Sequence, residues 1–320
     1  MAWQNLHISQ SGSLSLKRKN LYFKSEAGEN SFALEDIACI ILDTKQINLS
    51  AALLSRLSED GIMLIVPDER HHPAGMVLSF HQHYAQAEIA HLQANLSTPL
   101  KKRLWQKIIK RKIRNQGRLL ENQNLQGGKK LLGYADLVKS GDSENMEAVA
   151  ARFYWRNLFQ NFIRADGTDF RNSLLNYGYA IVRAMIARSI AASGLLPAFG
   201  LFHISKLNPF NLADDLIEPY RPFVDGLALK RFLMRSDIDP AKSMGQLDLE
   251  DRRFMANILN FSIEMKGEIV TLLTATEIMS ASLVTAIREK TPDSFHLPAW
   301  GKYLPLIEES EYLSEEECES

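Results

Sequence analysis

The chain has 320 residues, 46% of them apolar and 23% charged, with a net charge of −1 and two cysteines, Cys39 and Cys318. These shares are those of an ordinary globular protein. They exclude a mainly disordered, collagen-like or membrane-embedded chain, a disulfide framework and a four-cysteine zinc site. No run approaches the ~18 apolar residues that cross a membrane, and the first residues show no basic-then-apolar signal. The expectation is a cytoplasmic, reduced protein of one large or two modest domains.

From Trp3 to about Phe80 the pattern is strand-like. Leu14 and Leu16, then Leu21 and Phe23, alternate with polar residues, while residues 37–42 (IACIIL) and 62–66 (IMLIV) are short apolar runs of the kind buried strands show. Turn signals at Ser11-Gly12, Asp60-Gly61 and Pro67-Asp68 separate them. One helix is expected over about 48–58, with Leu53, Leu54 and Leu57 at helical spacing. After about residue 84 the period changes to 3.6: Leu104 with Ile108, and Trp105 with Ile109 and Ile113, form stripes. The segments 144–163, 172–193, 209–218, 226–235 and 250–288 are also predicted to be helical. The fold class that follows is α+β, a small β-rich N-terminal domain over residues 1–80 followed by a larger all-α C-terminal domain over 81–300. An acidic, mobile tail is expected over 301–320.

Charge is segregated along this plan. Residues 101–130 hold eleven Lys or Arg against one acid, Glu121, while residues 308–320 hold seven Glu and no base. A helix over 101–118 leaves Lys101, Lys102, Arg103, Lys107, Lys110, Arg111, Lys112, Arg114 and Arg118 outside its apolar stripe, and nine bases without an acid suit a polyanion. The tail suits solubility, and its glutamates could also mimic phosphate and compete for the basic helix.

Three further places carry candidate chemistry. Asp142 or Ser143 can cap a helix in which Glu147 shares a face with Ala150, Ala151, Tyr154 and Leu158. A carboxylate in such a stripe is costly unless paired or metal-bound; the plain alternative is a rim glutamate whose head reaches water. His203 follows an apolar stretch broken by Pro197 and Gly200, which makes it either a bonded core histidine or a ligand. In NPFNLADDLIEPYRPFVD (208–225), Asn208 and Pro209 read as a helix start. Asn211, Asp214, Asp215 and Glu218 share a polar face, either solvated or lining a cleft where a divalent cation would relieve their repulsion. Gly127-Gly128-Lys129-Lys130 lacks the Ser or Thr of a phosphate loop, and His71-His72 and His81-Gln82-His83 lack partners at metal-binding spacing.

In order and spacing, Glu147 in MEAVAARFYW, NSLLNYGYAIV at 172–182, SGLLPAFGLFH ending at His203, and the 208–225 segment resemble the CRISPR-associated spacer-acquisition integrase, the Cas-one endonuclease family, in its type II branch. The resemblance covers nearly all of residues 1–290. It implies a divalent ion, Mg²⁺ or Mn²⁺, held by Glu147, His203 and a third acid. Glu218 is the choice for that acid, with Asp215 in reserve and Asp214 behind it. It further implies attack of a prespacer 3′-hydroxyl on a phosphodiester at the end of a CRISPR repeat. Implied partners are double-stranded DNA, a second copy of the chain joined through the β-rich domains, and the small Cas-two companion, with no membrane. Phosphate contacts are expected at Lys107, Lys110, Arg111, Arg114, Lys206 and Arg221. Tyr154 could stack on a displaced base or pack in the core. The competing readings are a DNA-binding scaffold whose catalysis has decayed and a stand-alone nuclease for branched DNA.

Overall fold

The computed structural model describes residues 4–79, 83–235 and 244–301. The first part runs β1 (Gln4–Ile8), β2 (Gly12–Lys17), β3 (Asn20–Ser25), β4 (Gly28–Ala33), β5 (Ile37–Leu42), β6 (Ile47–Leu49), α1 (Ala51–Glu59), β7 (Met63–Pro67) and β8 (Pro73–Val77). One sheet has the order β1-β5-β7-β8, parallel except for the last pair; the other has the order β4-β3-β2-β6. The apolar run of β5 is buried on both faces, which is why it does not alternate. Ile37, Ile40 and Leu42 join a core with Leu14, Leu21, Leu53 and Leu57, where the second sheet and α1 pack. Ala38, Cys39 and Ile41 face the helical part and join its core. Cys39 is fully buried, and burial pushes its thiol up to about 12, which makes it inert. Cys318 and the acidic tail lie outside the described residues.

The change from strand to helix falls between Val77 and Gln86. There follow α2 (Gln86–Ala94), α3 (Thr98–Asn122), α4 (Gly128–Leu137), α5 (Met146–Leu158), α6 (Phe170–Ala192), α7 (Asn211–Leu216), α8 (Arg221–Met234) and α9 (Leu249–Ala256), then β9 (Ser262–Met265), β10 (Glu268–Thr271) and α10 (Leu272–Glu289). The β9–β10 hairpin corrects the expectation of an all-α second part and of one helical segment over 250–288. Ile263 and Met265 alternate with polar residues, and Lys266 and Gly267 both take positive φ (56° and 83°), the two-residue turn that joins twisted antiparallel strands. No helix among the described residues is long and apolar enough to cross a membrane.

One buried ion pair ties the strand-rich part to the helices. Arg252 of α9 donates through Nε to both oxygens of Asp43, at 2.9 Å each, and the Asp43 side chain is fully buried. His71 Nδ1 lies 2.9 Å from the same carboxylate, so this histidine, set aside as a metal ligand on its spacing, is committed to Asp43. Burial takes the nearby His7 imidazole down to about 4, so it sits there neutral.

Helices α6, α8 and α9 meet at Gly178, where a Cβ would stand 2.6 Å from Val224 Cγ1 and 2.8 Å from Met255 Cε. Gly178→Ala would normally gain about 1 kcal/mol inside a helix. Here overpacking against a stiff β-branched side chain costs about 1–3 kcal/mol, and we expect a lower thermal midpoint. A midpoint at or above the parent's would show slack in that junction.

Candidate active site

Helix α3, about 37 Å long by its 25 residues, carries the residue around which the site is arranged. Lys112 follows Ile108 by four positions and Trp105 by seven, so it lies on the apolar stripe and is only 8% exposed. Its ammonium stands 2.5 Å from Glu147 Oε1 and 2.5 Å from Glu218 Oε2. Counting Lys112 among the outward-facing bases of the helix is therefore corrected. The sequence signal was available: a lysine at a stripe position needs a buried partner.

Glu147 sits half-buried in the first turn of α5. The Asp142 carboxylate accepts the backbone N–H of Met146 (2.8 Å) and of Glu147 (3.0 Å), so Asp142 does cap this helix, from a turn just ahead of its start. Glu218 opens a 3₁₀ turn, Glu218–Tyr220, between α7 and α8, where Pro219 and Pro222 interrupt the helix. It is 5% exposed, and Arg221 Nε donates to its Oε1 at 2.8 Å. Burial alone would raise the Glu218 pKa, but Lys112 and Arg221 together hold it down to about 2. Arg221 in turn lies 4.6 Å from the centre of the Tyr179 ring, and Glu218 raises its pKa against burial. Arg221, expected to contact phosphate, is thus occupied in holding Glu218.

The acids of α7 divide by partner. Asp214 accepts from Arg183 Nε (2.5 Å) and Asn208 Nδ2 (2.5 Å). Asp215 is wholly buried and accepts the backbone N–H groups of Leu201, Phe202 and His203 at 2.5, 3.1 and 3.1 Å, with His203 Nδ1 at 2.7 Å. The solvated reading of this face is corrected: Asn211, Asp215 and Glu218 are all buried because each has a fixed partner. The helix also begins at Asn211 rather than at Pro209, since the Asn208 side chain closes a turn on the Phe210 N–H. Of the three acids weighed for the third position, Glu218 alone shares a partner with Glu147 among the described residues.

His203 lies on the loop before α7, half-exposed at the mouth of a cleft with Lys101 and Lys206. A Cβ at Gly200 would meet the His203 carbonyl oxygen at 2.2 Å and Asp215 Oδ2 at 2.8 Å, so only glycine lets the loop close on Asp215. Trp105 of α3 stacks on Phe202 at 4.4 Å, and the His203 ring meets both edge-on. The Asp215 hydrogen bond raises the imidazole pKa above 6.5 against partial burial, and the charges of Glu218 and Asp214 add to the rise. Tyr154 is buried and donates to Asp225 at 2.7 Å, so it packs in the core and is not available for stacking on a base. Lys107, Lys110, Arg111 and Arg114 line a separate cleft beside the β9–β10 turn. His83 stacks on Tyr84, and His81 lies outside the described residues.

These residues offer the right donors for a hard divalent ion. Two carboxylates converge on one cation, with Glu147 Oε1 and Glu218 Oε2 each 2.5 Å from it, and such oxygens are the donors a hard ion prefers. An imidazole tied by Nδ1 to a carboxylate presents Nε2, as ligating histidines do. Among the described residues, no three His, Cys, Asp or Glu side chains close on one point, and Lys112 holds the position between the two glutamates.

Comparison with known proteins agrees with the sequence resemblance. The family model described as CRISPR associated protein Cas1, the Cas-one family named above, matches residues 6–252. The CRISPR-associated endonuclease Cas1 of Neisseria meningitidis serogroup C is 38% identical over 310 residues, 96% of this chain and 99% of that protein. A casposase bound to integration product superposes with a TM-score of 0.73 at 19% identity, covering 100% of this chain and 99% of the other. A Cas6-RT-Cas1–Cas2 complex superposes at 0.69 and 20% identity, covering 95% of this chain and 36% of that one. At these identities the structural likeness concerns the fold.

Lys112→Met leaves the half-buried Glu147 and the buried Glu218 carboxylates without their shared cation. The loss of one partner of a buried pair costs about 3–5 kcal/mol, and we expect a lower thermal midpoint that millimolar Mn²⁺ partly restores. Absence of any Mn²⁺ effect would separate the carboxylates from cation binding. The pH dependence has a definite sign. The folded Glu218 pKa lies below its unfolded value, so its stabilisation is present above about pH 4.5 and is lost as pH falls toward 2. Thermal midpoints should decline over that range, and Glu218→Gln should flatten the decline.

Proposed function

This chain belongs to the Cas1 family of CRISPR-associated proteins, and we propose that it is a divalent-metal-dependent DNA integrase of CRISPR adaptation. The observation that carries the reading is the convergence of Glu147 and Glu218, 71 positions apart, on a single buried cation position. In the reaction, the 3′-hydroxyl oxygen of a prespacer strand forms a bond to a repeat phosphorus. The phosphodiester bond to the neighbouring nucleotide of the repeat breaks and leaves a free 3′-hydroxyl. The step is a transesterification and consumes no nucleotide; with water as nucleophile the same site is an endonuclease.

Each residue has a role set by its contacts. Glu147, Glu218 and the Nε2 atom of His203 would hold Mg²⁺ or Mn²⁺, which supplies Lewis-acid polarisation of the scissile phosphate. Arg221 keeps Glu218 ionised and aimed at Lys112. Asp215 fixes the His203 tautomer with the proton on Nδ1, and three backbone N–H groups fix Asp215 itself. Lys112 neutralises the two carboxylates at the position a divalent ion would occupy. Lys101 and Lys206, on the cleft with His203, bind backbone phosphate. The chain acts on double-stranded DNA as a homodimer joined through its β-rich part and works with the companion Cas2. Its likeness in fold to the Cas6-RT-Cas1–Cas2 complex supports that partner.

Lys112 between the two glutamates specifically favours a second reading, a scaffold that binds DNA without chemistry. Strand transfer of a duplex with 3′-hydroxyl ends into a repeat-containing plasmid separates the two. We expect joining that EDTA abolishes, and that Glu147→Ala abolishes while duplex binding survives. Undiminished joining by Glu147→Ala removes the site. Salt-sensitive DNA binding without joining, and without Mn²⁺ uptake at millimolar concentration, establishes the scaffold. His203→Gln should cut the joining rate by about 10²-fold or more, on the order expected for a lost metal ligand or its orienting partner.

A further inference from the structure

The basic residues of α3 do not all serve the site described above. Lys107, Lys110, Arg111 and Arg114 follow one another at helical spacing on one face, roughly 150° around the helix from Lys112. With Lys266 of the β9–β10 turn they line a cleft of about 360 Å³, in which Glu264 is the one carboxylate. Lys107 donates to the carbonyl oxygens of Pro292 and Asp293, and Arg114 pairs with Asp136. Lys110, Arg111 and Lys266 have no hydrogen-bonded or ion-paired partner among the described residues. The cleft repels protons: burial and the charges of Lys266 and Lys107 lower the His296 pKa, and burial with Arg114 lowers that of Arg111. With Arg114 paired to Asp136, four cations still face the one carboxylate of Glu264, an excess that calls for an anion.

We propose that the glutamate-rich segment 308–320 of this same chain docks in that cleft. The wall of the cleft is where the described chain leads out. Ala299 lines the cleft and is joined to Glu264 by two backbone hydrogen bonds of 3.1 and 2.8 Å. Trp300 donates its backbone N–H to Asn115 Oδ1 at 3.0 Å and stacks its ring on Phe223 at 4.8 Å, which pins the exit at Gly301. From Gly301, seven residue steps reach at most about 25 Å to Glu308, against about 11 Å of α3 between Lys107 and Arg114. The segment then offers seven glutamates and no base to these cations. A tether this short holds it at roughly millimolar effective concentration, so contacts that are individually weak suffice. Docking does not depend on the integrase reading. Its consequence does: the segment competes with nucleic-acid phosphates for the cleft and weakens DNA binding at low salt.

Zero-length carbodiimide cross-linking of the full chain at low protein concentration and about 50 mM salt, where screening is weak, tests the docking. We expect Glu308–Glu319 joined within one molecule to Lys107, Lys110 and Lys266, and the links suppressed by molar salt or by excess duplex DNA. Links spread evenly over surface lysines such as Lys17 and Lys129, or formed mainly between molecules, overturn the proposal. So does a cleft whose lysines are protected by DNA but never linked to the segment. In a second arm, all seven glutamates become glutamine, and duplex affinity at about 50 mM salt should rise roughly 3- to 10-fold, with the gain fading as salt increases. Unchanged affinity overturns the competition. If the chain binds no DNA at all, the integrase reading fails while the cross-links still decide the docking.

Discussion

The site depends on one balance of charge. Two glutamates, a lysine and an arginine are drawn from α3, α5, the turn after α7 and the start of α8, and Glu218 and Lys112 are nearly closed off from water. No one of them is tolerable alone at that depth. Lys112 lets Glu147 and Glu218 approach one another, and Arg221 keeps Glu218 ionised where burial would otherwise protonate it. The arrangement holds these elements in register and, in the same act, gathers two hard oxygen donors around one ammonium. Under the proposed metal-dependent reading, stability and metal binding would meet at this point, because Lys112 stands where a divalent ion would sit.

A second set of contacts sets the histidine. Asp215 closes the 200–203 loop by accepting three backbone N–H groups and one imidazole N–H, and Gly200 permits the approach. The stack of Trp105 on Phe202 adds an apolar brace from α3. An imidazole held this way has one ring nitrogen committed and the other left to the cleft. Helix α3 thus serves both halves of the site, with Trp105 under the histidine and Lys112 between the glutamates, while its far face carries the free bases that line the second cleft.

That division explains why the basic helix did not read correctly as a unit. Nine bases in 18 residues count alike in a sum of charges. In the fold, Lys112 is a buried counter-ion, Lys107 is bound to backbone carbonyls, Arg114 is paired with Asp136, and Lys110 and Arg111 remain open.

Sequence by itself determined the strand-rich start, the change to helical period and the apolar strands it placed at 37–42 and 62–66, the second of which runs 63–67 in the fold, because these follow from alternation and run length, which are local. It also singled out Glu147, His203 and Glu218 through residue order and family resemblance. It mistook 250–288 for one helical segment because β9 and β10 are only four residues each, too short for strand alternation to stand out between α9 and α10. Only the tertiary structure decided which acid of DDLIEP meets Glu147, that the polar face of α7 is buried, and that Asp215 serves His203. Whether a carboxylate is solvated, paired or poised for a cation depends on which distant side chains reach it, and residues 112, 147 and 218 acquire their common meaning only when the chain brings both carboxylates to 2.5 Å from the Lys112 ammonium.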